Sequence, residues 1–156
     1  MADASPAAAK PKGQSGASRR QPGKAFLVRK LAERFAQSLL PGEAEGMDAR
    51  RIAEAARFTL GAMAKRESGE PGIALESVGG SAGERYLRVA VVNDDMPFLV
   101  DSVAAAVADQ GLTVERLVHP VVAVRRDARG KLTAILDEAG EGERRESIIY
   151  LETERG

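Results

Sequence analysis

Asn93-Asp94-Asp95-Met96-Pro97-Phe98 is where this chain concentrates residues that could do chemistry. Two adjacent carboxylates follow a β-patterned run, Tyr86 to Val92, and precede an amphipathic segment that closes near Gly111. With Pro97 in the first helical turn, the spacing predicts a strand-to-helix switch. The loop at such a switch is where small-ligand modules bind. Asp94 and Asp95 could receive a ligand or a cation. The expected role is to cap the helix and complement its dipole, worth about 1 kcal/mol for a good cap. Asp101 follows one turn later, but three carboxylates without a rigid loop geometry do not specify a divalent-ion site. No metal is expected.

Catalytic material is scarce elsewhere. The chain has one histidine, no cysteine and no tryptophan. His119 stands before Pro120 in a β-rich run, and no Ser, Cys or second His accompanies it in a recognisable motif, so a structural or interfacial role is expected. Gly79-Gly80-Ser81-Ala82-Gly83 is glycine-rich but precedes a strand. A dinucleotide or phosphate loop would join a strand to a helix. Arg125, Arg126, Arg129, Arg144 and Arg145 are interleaved with Asp127, Asp137, Glu138, Glu141, Glu143 and Glu146, the pattern of a solvated mixed-charge rim. No catalytic residue is expected.

With 156 residues, 23 basic and 23 acidic, the chain has zero formal net charge. That balance argues against nucleic acid or an acidic membrane as its partner. Residues 1–23 contain no aromatic and no Ile, Leu or Val. Such a segment cannot bury enough apolar surface to offset its ordering entropy and reads as a disordered tail. The absence of cysteine fits a reducing cytoplasm. No apolar run is long enough to span a bilayer, and residues 1–23 hold no apolar h-region, so secretion is not expected.

Two helices come first, in a helical segment over 24–71. Lys24 to Leu40 puts Leu27, Leu31, Phe35 and Leu39 on one stripe before Pro41-Gly42 ends it. The second runs from about Met47 to Arg66, with Asp48 near its start or at its N-cap. Their apolar faces are narrow, so they should dock on a larger body. Ile73 to Val78 is a short strand and Tyr86 to Val92 a stronger one. In the latter, Leu87, Val89 and Val91 face one way and Arg88, Ala90 and Val92 the other. Met96 to Gln110 is a helix with Leu99, Val100, Val103, Ala106 and Val107 inward. Thr113 to Arg126 is β-rich and broken at His119-Pro120. Asp127-Ala128-Arg129-Gly130 is a hairpin turn, followed by strands Lys131 to Leu136 and Ser147 to Thr153. From Tyr86 onward the order is β-α-β-β, the start of a ferredoxin-like split β-α-β sandwich. The expected fold is α+β: the helix pair, then an incomplete domain over 72–156, truncated before its second helix and last strand. On that view the strands carrying Val118 to Val124 and Ile148 to Leu151 would leave apolar faces and edges open.

Asp95-Met96-Pro97-Phe98-Leu99-Val100 resembles the Asp-x-Pro-Gly-Leu-Leu turn of ACT domains, which are amino-acid-sensing regulatory modules, with Phe98 in the place of the glycine. Gln110-Gly111-Leu112-Thr113-Val114 resembles the ACT entry into the second strand. In that family a ligand approaches the helix start through the glycine, so Phe98 should exclude amino acids. Val92 to Val103, then His119 to Asp127, then Arg145-Glu146-Ser147 are together similar to the N-terminus of the large bacterial NAD-dependent glutamate dehydrogenases. The resemblance implies a regulatory or assembly segment that is itself non-catalytic. NAD and glutamate would be bound by a distant domain, no cofactor by this segment, and its partners would be the remainder of that enzyme in a homo-oligomer. The alternatives are a free-standing ACT-like interaction or small-ligand module and, lower still, an RNA-binding α/β domain, which would need stacking aromatics where only Tyr86 and Tyr150 lie on strands.

Overall fold

Apolar residues at helical spacing build a pair of helices, α1 (Lys24–Ser38) and α2 (Ala49–Met63), whose stripes of Leu27, Leu31 and Phe35 and of Ala55, Ala56, Leu60 and Met63 are buried. The computed structural model describes residues 23–42, 46–67, 69–79, 85–137 and 143–154. The expected tail therefore lies outside the described residues except for Gly23, as do most of the Gly79–Gly83 turn and residues 138–142 of the charged loop. Asp48 is the N-cap of α2, its side chain accepting from the Arg51 N–H at 2.9 Å.

Six strands follow among the described residues: β1 (Gly72–Gly79), β2 (Arg85–Asp94), β3 (Thr113–Val118), β4 (Val121–Arg126), β5 (Leu132–Leu136) and β6 (Arg144–Glu154). Helix α3 (Leu99–Asp109) connects β2 to β3. Every pairing is antiparallel, in the order β1-β2-β6-β4-β5, with β3 also beside β6. Because β2 and β3 flank β6 and are each antiparallel to it, they run parallel to one another. That is the split β-α-β arrangement. Strands β3 and β4 are two halves of one line along β6, interrupted at His119-Pro120, where the Pro120 carbonyl accepts from the Ile148 N–H at 2.9 Å. The fold is α+β, as expected. The place beside β2 on its outer side is taken by β1, a strand that precedes the β-α-β unit in sequence.

The sheet is covered differently on its two faces. The helix pair packs on Ala90, Val92, Val118, Val122, Val124, Ile148 and Tyr150, where most of the core lies. Helix α3 packs on Val91, Ile149 and Leu151 through Leu99, Val100, Val103 and Val107. The period-2 reading of β2 holds on both faces.

Three expectations are corrected. Strand β6 is central and Ile148, Ile149 and Leu151 are fully buried, because the helix pair closes the face of Ile148 and α3 covers that of Ile149 and Leu151. Val118, Val122 and Val124 are buried with it, and of that group only Val121 is exposed. Helix α3 begins at Leu99, with Pro97 outside it, because Phe98 at φ 66°, ψ 9° makes a left-handed turn that α-helical geometry cannot include. Ala106 faces solvent, since α3 rests on the sheet by one narrow stripe and has no fully buried residue.

Candidate functional site

The loop Asn93–Phe98 leaves the sheet at the end of β2 and turns into α3, and its polar groups are already engaged. The Asn93 side-chain oxygen accepts from the Asp94 N–H at 2.9 Å. The Asp94 carboxylate takes a hydrogen bond from Nη2 of Arg66, a residue just past α2 whose side chain is fully buried. Asp95 accepts from Ser147 Oγ at 2.8 Å, and its N–H donates to the Arg145 carbonyl at 3.3 Å. The aspartates thus reach different partners, both distant in sequence. Neither caps α3, whose N-cap, Phe98, makes no side-chain capping bond. The capping reading fails because the left-handed turn at Phe98 inserts three residues between Asp95 and the helix.

Met96 and Phe98 are exposed, Phe98 at 76 %. Phe98 is the only non-glycine with positive φ among the described residues. The place where the ACT pattern carries glycine therefore has the backbone conformation that favours glycine, and phenylalanine occupies it.

Ser147 also lies 3.4 Å from His119 Nε2, so Asp95, Ser147 and His119 form a chain of contacts. Sequence reasoning did not join these residues, since they are brought together only by the pairing of β6 with β2 on one side and with the β3–β4 line on the other. The order is unsuited to nucleophilic catalysis. In a hydrolytic triad the histidine stands between carboxylate and hydroxyl and takes the hydroxyl proton. Here the buried Ser147 stands in the middle and donates to the carboxylate. The arrangement locks the loop to the sheet.

A second polar cluster lies beneath the helix pair. Against the expectation of a solvated rim, the Glu146 and Arg126 side chains are buried: Glu146 receives Arg126 through Nε at 2.8 Å and Nη2 at 3.0 Å, and Arg66 Nη2 is 3.8 Å away. Glu152 receives Arg51 Nη2 at 3.0 and 3.1 Å and the Tyr150 hydroxyl at 2.6 Å. Burial, and then that bond to a carboxylate, push the Tyr150 phenol well above its ordinary range. Tyr150 packs against Phe35 and Phe58 with ring centroids 5.9 and 6.2 Å away, so it offers no surface for base stacking. Among the described residues, no group of three or more His, Cys, Asp or Glu is placed to hold a metal ion, and no helix is long and apolar enough to cross a membrane.

A split β-α-β crossover entered through an Asp-x-Pro-x-Leu turn defines an α+β module of the ACT, ferredoxin-like class. The chain belongs to the family described as "Glutamate dehydrogenase, ACT1 domain", which it matches over residues 31–156. It is 41 % identical over 72 residues to the NAD-specific glutamate dehydrogenase of Pseudomonas aeruginosa, covering 45 % of this chain and 4 % of that protein. To the NAD-specific glutamate dehydrogenase of Halomonas elongata it is 41 % identical over 69 residues, covering 43 % of this chain and 4 % of the relative. The matched region thus spans a small fraction of the length of either relative. No solved structure matches the chain.

Proposed function

We propose that this chain is the N-terminal regulatory or assembly segment of an NAD-dependent glutamate dehydrogenase, and that it acts by docking on the remainder of that enzyme. The observation that carries the reading is the half-open face beside α3. Ile73 and Leu75 on β1 pair in register with Val91 and Val89, so all four point to the α3 side. Helix α3 packs over β2, β6 and β3, and leaves Ile73 and Leu75 64 % and 65 % exposed. Adjacent apolar side chains on an outermost strand mark an interaction surface. Met96 and Phe98 add exposed apolar groups in the loop before α3. On this reading the loop touches the body of the enzyme and holds no amino-acid effector.

The parent reaction is L-glutamate, NAD and water to 2-oxoglutarate, ammonia and NADH, in a cytoplasmic homo-oligomer whose distant domain holds NAD. On this reading the segment itself takes no part in the proton transfers of that reaction. A free-standing module that pairs through its sheet edge is the second reading, favoured by β1 being outermost in the sheet.

The test compares wild type with the Ile73→Lys/Leu75→Lys double variant in the parent polypeptide and as the isolated chain. The isolated chains should form no NADH from glutamate and should melt alike. In the parent, the double variant should loosen assembly or change regulation of the reaction. Turnover by the isolated chain, freed of contaminating enzyme, would sink the non-catalytic reading. Identical assembly and regulation of the two parents would sink the docking reading.

A further inference from the structure

On the sheet's other side, a concave groove of about 380 Å³ lies between the start of α1, the second half of α2 and the start of β5. Backbone bonds fix its wall: the Leu132 N–H donates to the Ala64 carbonyl at 2.9 Å and the Arg66 N–H to the Gly130 carbonyl at 3.1 Å. Leu27, Leu60 and Leu132 line it, only 9 %, 5 % and 4 % exposed. Lys24, Arg57 and Lys131 also line it, all solvent-exposed, and no carboxylate does. None of the three cations forms an ion pair among the described residues. The neighbouring carboxylate of Asp127 is held in its own turn by the N–H groups of Arg129 and Lys131, and it feels the charge of the Lys131 side chain without a close ion pair to it.

Gly61 adds an independent sign. It lies inside α2, where glycine is less stable than alanine by about 0.5–1 kcal/mol. A Cβ built there meets nothing within 4 Å, so the packing does not require glycine. Gly61 lines the groove, so a large side chain there would narrow it.

We propose that this groove binds a small amphipathic carboxylate, its alkyl or aryl body on the leucines and its anionic head among Lys24, Arg57 and Lys131. The volume falls within the range of small-molecule sites, which pair an apolar lining with a few charged groups. Charge selects the occupant. An uncharged hydrocarbon would leave the cations unused, an alkylammonium would be repelled, and an inorganic anion would forgo the apolar floor. The chain's own leading residues are an unsuitable filling, because residues 1–22 carry Lys10, Lys12, Arg19 and Arg20 against the single acid Asp3.

The experiment is a titration of the full chain, followed by amide resonances, with octanoate at millimolar concentrations below micelle formation. Octylammonium and inorganic phosphate at matched ionic strength are the comparison ligands. Octanoate should give saturable shifts at Gly61, Ala64 and Leu132, and the other two ligands should not. Arg57→Glu and Lys131→Glu should each weaken the octanoate affinity by roughly tenfold, the scale of one charge-assisted contact. Gly61→Leu, at an open helical position, should block the groove with the fold intact by circular dichroism. If that variant unfolds, the charge variants decide alone. Non-saturable shifts, an equal response to octylammonium, or full affinity in both charge-reversal variants would overturn the proposal.

Discussion

Arg126 and Glu146 meet fork to fork inside the protein, Nε to Oε2 at 2.8 Å and Nη2 to Oε1 at 3.0 Å, with side chains 3 % and 0 % exposed. The same carboxylate lies 3.8 Å from the fully buried Arg66, which in turn holds Asp94 of the loop before α3. One glutamate thus balances two arginines removed from water and helps fix the loop's anchor. Glu146→Gln should leave Arg126 without its counter-charge and Arg66 with Asp94 alone. A buried pair broken on one side costs about 3–5 kcal/mol. Urea unfolding should show the midpoint falling with little change in slope, and a loss under about 1 kcal/mol would mean that water already reaches the cluster.

Phe98→Gly should stabilise the chain. The left-handed conformation costs an L-residue about 1–2 kcal/mol, and the exposed ring gives up little burial when removed. The added freedom of glycine in the unfolded chain offsets part of the relief, leaving a gain of about 0.5–1 kcal/mol. A fall in the thermal midpoint would show that the ring packs in solution.

Two glycines should respond oppositely to alanine. A Cβ at Gly72 would lie 2.1 Å from the Ala62 carbonyl oxygen, a backbone atom that can yield only if α2 and β1 separate. Gly72→Ala should therefore lower stability by about 1–3 kcal/mol, the scale of overpacking. Gly61→Ala meets open space and should gain about 0.5–1 kcal/mol from helix propensity. Chemical denaturation of both variants checks the pair, and equal effects would contradict the packing at the start of β1.

The Asp127 turn should be sensitive to acid. The Lys131 N–H, and then the Arg129 N–H, donate to its carboxylate and hold its pKa below the ordinary aspartate range. The unfolded chain then binds the proton more readily than the folded one. Stability from this group is complete above the unfolded value, about pH 4, and is lost as pH falls through the lower folded value. The melting difference between wild type and Asp127→Ala should be largest near neutrality and shrink below about pH 4. A difference that stays constant into acid would remove the carboxylate from the explanation.

Part of the polar architecture was readable in advance. Glu146 and Glu152 stand on the same side of β6 as Ile148 and Tyr150, and acids on an apolar face of a strand signal buried partners. That signal could have named the glutamates. It could not name Arg66, Arg126 or Arg51, whose approach depends on how α2 and β4 lie against β6. The aspartates of the candidate loop show the same boundary. Their pairing with Arg66, 28 residues earlier, and Ser147, 52 residues later, has no trace in local spacing.

By itself, the order of residues determined the elements, apart from the start of α3, and the side most apolar residues would face, Ala106 excepted, because side-chain direction repeats every two residues in a strand and every 3.6 in a helix. It also carried the family, through the blocks around Asp95, His119 and Glu146. Tertiary structure alone decided that β6 lies between β2 and β3, that β1 takes the outer place beside β2, and that the helix pair closes one face while α3 leaves part of the other open. Strand order and the layering of helices depend on contacts between segments far apart in the chain. Local periodicity tells each element which side to bury, and the partner is chosen only when the assembled layers compete to exclude water.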